Sequence, residues 1–439
     1  MRRFRFSGEA MSDTMEADVV VVGGGVGGVC AALASARRGA KTLLVERAPV
    51  LGGTGVHSPV GLVCRFYDHE GRPVNTGIHR ELFPEAYAWS GGFGDRDLVP
   101  VYDEAVLKER YRALCAAQEN LTVVTDAEVV AVHREGPRIQ HLELRDGRTI
   151  CGAYFVDSTA DGNLSALAGA SFQKGREGDG ALMTATLTFR VQGLDRTKLE
   201  RPDFWTWGGI RSLRAELDPY YHTAKASGLT DNLRQGVLCF PTPDREGLLF
   251  NSTAVKGVDP TVPGSVESGR TRALRQAEVL YEAVREHPAL AQSELAFMSP
   301  WLGIRESRRV EGDYVLTGAD VLGEARFPDM VAASAYEVDI HDPDGGSTRM
   351  VNIPGSGYYH IPWRSLVAKG LDNLALGSRC ISGDVTAHSS YRVMSGVSAI
   401  GEAAGTGAAL AVQHRPSPLR DLDADAIKRQ LELHGQFVD

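Results

Sequence analysis

The sequence predicts an α/β fold: a Rossmann-like dinucleotide-binding domain with a β-meander, and a mixed-sheet (α+β) domain inserted into it. Three observations carry this. First, DVVVVGGGVGGVCAALASARRGAKTLLVE, from Asp18 to Glu46, reads as a buried strand, a glycine turn, an Ala-rich helix and a second strand ending in an acid, which is one βαβ unit. Second, LTVVTD, AEVVAVHRE, RIQHLELRDGRTICG and AYFVDSTADG are short strand-like stretches with a hairpin signal at Asp146-Gly147, the pattern of a meander crossing between two parallel strands. Third, near Thr184 the pattern changes to longer alternating segments, TATLTFRV, GVLCF and GLLFNSTAV, followed by one helical stretch, RTRALRQAEVLYEAVREH.

Taken in order, residues 1–15 show no periodicity and are expected to be disordered. The stretch VYDEAVLKERYRALCAAQ has helical spacing at Val106, Leu107, Tyr111 and Leu114. After the loop DPDGGST, the segments IPWRSL, NLALGSR and GVSAIGEAAGTGAALAVQ read as a return to the first domain. The expected division is a discontinuous cofactor domain of 16–62, 98–183 and 345–439, with 63–97 and 184–344 forming the substrate or cap domain.

A chain of 439 residues that is 43% hydrophobic can bury a core large enough for two or three lobes. Its net charge of −9 opposes nucleic-acid binding. No apolar run is long enough for a membrane span, and no signal-peptide core follows Arg2 and Arg3, so a cytoplasmic location is expected. The six cysteines are scattered without a C-x-x-C, which argues for reduced structural thiols and against a dithiol relay. No metal site is expected.

Gly23, Gly25 and Gly28 form G-x-G-x-x-G directly after the valine strand. Gly23 makes the turn. Gly25 lets the amides of Val26 and Gly27 approach a pyrophosphate, and Gly28 lets the helix lie on the strand with its positive end toward the phosphates. Glu46 is placed to accept ribose hydroxyls and to repel a 2′-phosphate, so the cofactor is FAD or NAD and not NADP. Three features favour FAD. Arg47 and Gly52-Gly53-Thr54 follow the acid, where a long cofactor continues; the meander opens at Val129; and Thr159, Ala160 and Asp161 end a strand in a turn able to close over the adenosine. No second G-x-G-x-x-G follows a strand, so no separate NAD domain is expected.

With these residues in view, the chain resembles the bacterial FAD-dependent oxidoreductase family of the glutathione-reductase-like superfamily, distantly similar to succinate dehydrogenase and fumarate reductase flavoproteins. The resemblance rests on Asp18 to Thr54, FVDSTADGNLSALAGA, GIRESRRVEGDYVLTGADVL and YYHIPWRSLVAKGLDNLALGSRCISGDVTAHSSYRVMSGVSAIGEAAGTGAALA. It implies free FAD at the junction of two lobes, with Gly377, Arg379 and Ser382 among its contacts. It also implies that Gly396 and Val397 open a helix toward the flavin edge, where charge grows on reduction.

The spacing of His388 and Arg392, with Tyr391 between, is similar to a flavin-side stretch of the succinate dehydrogenase relatives. It makes Arg392 a candidate anion clamp and His388 a candidate proton carrier. His57, Arg305 and His360 complete the candidate catalytic set. The expected reaction is hydride transfer between a small, possibly anionic substrate and flavin N5, of dehydrogenase or oxidase type, with an external electron acceptor or donor and a homo-oligomer as an open option. The alternatives are a flavin monooxygenase or FAD-dependent reductase and, in a different class, a non-catalytic FAD- or NAD-binding sensor or assembly protein.

Overall fold

The computed structural model describes residues 14–90, 98–345, 348–414 and 418–439. Expected disorder in residues 1–13, and Gly346 and Ser347 of the DPDGGST loop, lie outside these.

The valine run becomes the centre of a sheet because it is apolar on both faces, which only a strand flanked and covered on all sides tolerates. Strand β1 (Thr14–Val22) pairs in parallel with β2 (Thr42–Val45) on one side and β6 (Thr149–Asp157) on the other. Thr14 and Met15, expected to be disordered, sit opposite Thr149 and Ile150 in this ladder. The extended alternation of the meander strand β6 gives that end of β1 a partner, and this corrects the expectation for these two residues.

The helix α1 (Val26–Arg37) connects β1 to β2. A second helix, α2 (Glu104–Ala116), leads to β3 (Leu121–Val124), which extends the sheet beyond β2. It buries Leu107, Tyr111 and Cys115, whereas Val106, counted in the apolar stripe, is exposed. The meander is β4 (Val129–Glu135), β5 (Arg138–Leu144) and the first half of β6, all antiparallel, with Gly147 at φ +90° in the predicted turn. The sheet order is β3-β2-β1-β6-β5-β4, with a late strand from the tail also pairing β6.

The second lobe is built on an antiparallel sheet. Its strands are β7 (Phe189–Gln192), β8 (Cys239–Pro241), β9 (Gly247–Phe250) and β10 (Glu294–Met298), in the order β10-β7-β9-β8. Two helices of 20 residues belong to this lobe, α3 (Trp207–Ala226) and α4 (Ser265–Val284), where the sequence signalled one. Gly208, Gly209 and Pro219 hide α3 from propensity. It forms because Thr206 caps it through Gly209 N (3.0 Å), and because Ile210, Leu213, Leu217 and Tyr221 bury on one face.

A short hairpin follows, β11 (Val338–Ile340) against β12 (Arg349–Val351). The chain then returns to the first sheet as β13 (Leu374–Leu376), which pairs in parallel with Phe155–Asp157 of β6. It ends its main course in α5 (Val385–Tyr391) and α6 (Met394–Gln413).

Buried apolar side chains fall into two large clusters. The second holds Val99, Val101 and residues between Ala185 and Leu302. Val63, Phe66, Val310, Leu316 and Val338 pack in the first cluster, alongside α1 and α6, although the sequence division assigned these positions to the cap.

The closest inter-helix contact is between α1 and α6. A Cβ on Gly401 would lie 2.1 Å from Gly27 O, and one on Gly405 would lie 2.0 Å from Ala31 O. Only glycine permits these two backbones to touch. Elsewhere on α6 Glu402 is buried; its Oε2 accepts from Ile78 N (3.0 Å) and Gln436 Nε2 (3.1 Å), while Oε1 has no partner among the described residues. Burial pushes its carboxyl up to about 7, against the lowering effect of the Ile78 bond and of Arg38 and Arg37, and with Glu81 adding to the rise.

A group raised in the folded state stabilises fully below its unfolded value and loses that contribution as pH rises through the folded one. Between pH 5 and pH 8 the wild type should therefore lose stability, by on the order of 3 kcal/mol from this group. Glu402→Gln should flatten that loss, as read by thermal melts across the range. An unchanged slope in the variant would show that Glu402 does not titrate there.

Candidate functional site

A cavity of about 1570 Å³ runs from the N-terminus of α1 to the sheet of the second lobe. It exceeds the roughly 300–1,000 Å³ typical of a single small-molecule site, so it can house a dinucleotide and a substrate together.

At the first end, β1 stops at the glycine turn. Gly23 has φ +104°, and a Cβ there would lie 2.3 Å from Ser158 O. A Cβ on Gly28 would lie 1.7 Å from Gly23 O, so this position admits no side chain at all. Gly25 differs: a Cβ there would meet only Gly53 Cα, at 3.6 Å, an ordinary contact. The protein leaves room at Gly25, and that room opens on the cavity. Gly25 is also the N-cap of α1 and offers no side-chain cap, so the first amides of the helix lack an internal acceptor. A cradle a methyl group would fill, in front of uncapped helix amides, fits a pyrophosphate.

Glu46 lines the same end, but its carboxylate has structural work too. Oε2 accepts from Gly24 N (2.5 Å) and Oε1 from Ala48 N (2.7 Å), which pins the glycine turn to the end of β2. Of the residues expected at the cofactor, Val26, Gly27, Arg47, Gly53, Thr54, Val129, Thr159, Ala160, Asp161, Arg379 and Val397 border the cavity. The turn after β6 is held by buried Asp157, whose two oxygens accept from Thr159 N and Oγ1 and from Ser165 N and Oγ at 2.6–3.0 Å. This lets Ala160 hold φ +66°. Asp161 is fixed by Ser307 Oγ (2.6 Å) and Arg379 Nη2 (2.8 Å).

A second uncapped helix opens on the same cavity. α6 has Val393 as N-cap with no side-chain bond, and Val393, Met394 and Val397 line the wall. Together with α1 this puts two positive helix ends on one cavity. The remaining residues expected at the cofactor pack nearby and do not line it. Gly28 and Gly377 set backbone approach, Gly52 lies under Val56, Gly396 lies under Tyr391 O, and Ser382 is buried against Gly312.

Most of the expected catalytic residues are not brought to the cavity. The His388 ring is buried edge-on to Tyr391 at 5.6 Å with neither nitrogen bonded. Burial, then Arg309, Arg392 and Arg379, holds its pKa well below the ordinary value, so it is neutral. Tyr391 donates to Ile381 O (3.0 Å). His360 accepts from Phe327 N (3.2 Å) and faces Asp439 at 3.4 Å, while the neighbouring Tyr358 and Tyr359 hydroxyls donate to Asp439 and Ser390. His57 stacks on Trp301 with centroids 4.0 Å apart, and Trp301, not His57, faces the cavity. In each case packing against neighbouring rings or bonds to backbone and side chains inside the fold outweighs the sequence spacing that suggested chemistry.

Arg305 and Arg392 do reach it. In the run Arg305–Arg309, Glu306 pairs with Arg309 (2.5 Å) inside the fold, Arg308 bonds Asp161 O (3.1 Å) and Asn163 Oδ1 (2.9 Å), and Arg305 borders the cavity. Arg392 is already engaged: its Nη2 donates to Asp339 O and Oδ2, both at 3.0 Å.

Asp339 is a hub that the sequence did not signal. Its Oδ2 also accepts from Tyr336 Oη (3.2 Å) and lies 3.3 Å from His341 Nε2. Burial opposes ionisation here, but the bond from His341 and the charges of Arg392, His341 and Arg305 outweigh it and hold the carboxyl well below the usual range. Across the hairpin, His341 Nδ1 lies 3.4 Å from Thr348 Oγ1. Burial and Arg305 push the His341 imidazole down to about 3, against the pull of Asp339. His341 is thus neutral and faces the cavity.

Arg234 and Arg305 line this end as well, and among the described residues neither is ion-paired to a carboxylate. Arg305 donates only to Thr184 O (2.5 Å), and burial with Arg392 and Arg234 beside it pushes its pKa down to about 9, still protonated at neutral pH. Arg214 adds a third guanidinium, spent on Cys239 O (2.6 and 3.0 Å).

Among known proteins, the family described as FAD dependent oxidoreductase matches residues 18–431. One stretch of 43 residues is 54% identical to mitochondrial dihydrolipoyl dehydrogenase of Caenorhabditis elegans, which is 10% of this chain and 9% of that enzyme, so the match spans under a tenth of that relative's length. Of solved structures, p-nitrophenol 4-monooxygenase from Pseudomonas putida is similar with a TM-score of 0.46 and 10% identity, over 97% of this chain and 90% of the other. A geranylgeranyl bacteriochlorophyll reductase-like protein from Thermoplasma acidophilum is similar with a TM-score of 0.45 and 14% identity, over 96% and 83%. Among the described residues, no helix is long and apolar enough to cross a membrane.

The cradle gives a direct test. Gly25→Ala should melt as the wild type does without cofactor, yet bind the dinucleotide at least tenfold more weakly by fluorescence titration. Gly28→Ala should fail to fold. Wild-type affinity in Gly25→Ala would show that the α1 amides do not hold the phosphates.

Proposed function

Since the chain belongs to the FAD dependent oxidoreductase family, we propose that it moves a hydride between its flavin and a small organic anion, with His341 as the proton carrier. FAD is the cofactor, and the protein is an enzyme. The residues that would hold it are the amides of Val26 and Gly27, Glu46 toward the ribose, and the loop of Thr159–Asp161. Bound there, FAD supplies a two-electron centre that accepts or returns hydride.

The observation that carries the reading is the pair of guanidiniums of buried Arg305 and half-buried Arg234, neither of which has a carboxylate partner among the described residues. A buried charge without a counter-ion is costly, and here the missing counter-ion is assigned to the substrate. Arg392 does not serve as the clamp, because Asp339 occupies it; its role is to hold Asp339, which in turn orients His341. With Nε2–H donated to Asp339, the Nδ1 lone pair of His341 is free to take a proton from the substrate, directly or through the Thr348 hydroxyl. Trp301, Leu238 and Phe240 line the same region and exclude water from it.

The charges also couple binding to proton transfer. Burial, then Arg305 and Arg392, depresses His341, with Asp339 alone opposing them. An anion that neutralises Arg305 removes one of these lowering charges, so His341 becomes a stronger base once the substrate is seated.

Two tests follow from this. Arg305→Met and Arg234→Met should keep their FAD, while weakening inhibition by small carboxylates about 10- to 100-fold. Anaerobic flavin bleaching by a panel of donors should favour carboxylates over their neutral amides or esters in the wild type only. If neutral donors bleach the flavin equally fast, and Arg305→Met changes nothing, the anion reading fails.

His341→Gln should retain FAD and lower kcat/KM by about 10²–10⁴. In the wild type, kcat/KM should stay flat as pH falls through the ordinary histidine range, since the free His341 remains neutral down to about 3. The acid limb of kcat should lie at higher pH than that of kcat/KM. Coincident limbs would remove the proposed coupling.

A further inference from the structure

Outside the cavity, the meander carries a second cluster of ligating side chains. His133 on β4 and His141 on β5 are directly paired in the antiparallel register, so their side chains project from the same face. Their rings stack with centroids 4.3 Å apart and planes 12° from parallel. Glu143 lies two residues beyond His141 and therefore on the same face, with Oε1 2.7 Å from His133 Nε2. One ligand atom from each of the three residues lies within 4.8 Å of the others. The neighbours of Glu143 in the ladder are Ala131 and Thr149, which are small and uncharged, so no cation competes from those positions.

We propose that His133, His141 and Glu143 form a divalent transition-metal site, and that its occupant is Zn²⁺. Two imidazoles and one carboxylate are a donor set that suits zinc, with the fourth tetrahedral position left to water. Magnesium and calcium, which take all-oxygen ligands, are excluded by the same donors. Inserting the ion replaces the contact between His133 and Glu143 with two metal bonds, and the His133–His141 pair needs only side-chain rotation, because the strand register already sets the spacing. The site bridges two strands of the hairpin whose first residues, Ala127 to Val130, border the cavity.

The test uses full-length, untagged, FAD-loaded protein stripped with chelator and titrated with Zn²⁺ by calorimetry, and separately with Co²⁺ by visible absorption beside the flavin bands. One Zn²⁺ should bind per chain, with affinity falling at least tenfold in His141→Ala and in Glu143→Gln, while FAD content and melting temperature in metal-free buffer stay at wild-type values. His133→Ala serves as an independent second removal. Undiminished one-to-one binding in both histidine variants, or no saturable Zn²⁺ binding to the wild type, overturns the proposal.

Discussion

Two helices touching backbone to backbone organise this molecule. Gly401 and Gly405 of α6 lie against Gly27 and Ala31 of α1 so closely that no side chain fits between them. Because the helices are locked at that distance, both N-termini open on the same cavity, one at the glycine turn and one beside Met394. Neither terminus carries a side-chain cap. The same contact that stabilises the core therefore leaves two uncapped, positive helix ends on one cavity.

The far end of the cavity follows a different logic, in which charge is arranged before the substrate arrives. Asp339 gathers Arg392, Tyr336 and His341 on one oxygen, while among the described residues Arg234 and Arg305 have no ionic partner. Arg234, Arg305 and Arg392 gathered near the single carboxylate of Asp339 leave a local positive surplus. Such a surplus is the basis of the anion selectivity proposed above, and its charges also act on His341.

How far the sequence discloses this depends on how local each feature is. The strand, turn, helix and acid from Val19 to Glu46 are contiguous, and each residue type has one conformational use, so both the fold class and the phosphate cradle are legible there. The meander is legible for the same reason. The helix α3 is not, since Gly208, Gly209 and Pro219 speak against it and only tertiary burial of Ile210, Leu213 and Leu217 decides the matter. The Asp339 hub is invisible in sequence because its charged partner Arg392 is 53 positions away, while Tyr336 and His341, though local, carry no motif. His388 failed in the opposite way, with suggestive spacing but a ring sealed inside the fold. His341 carried no motif at all, standing just before a loop read only as a connection.

The double membership of β6 has a consequence for how such a chain tolerates change. Its first residues pair with β5 in the meander, and its last pair with β13 in the parallel sheet, while β1 runs alongside the whole length. Asp157, which fixes the turn at the cavity, is the final rung of that ladder. An insertion or deletion of one residue within β6 would invert every side chain beyond it and turn Asp157 away from Thr159 and Ser165. Changes in length should therefore accumulate at the hairpin tips, around Gly136 and Gly147, and be purged from the nine residues between Thr149 and Asp157.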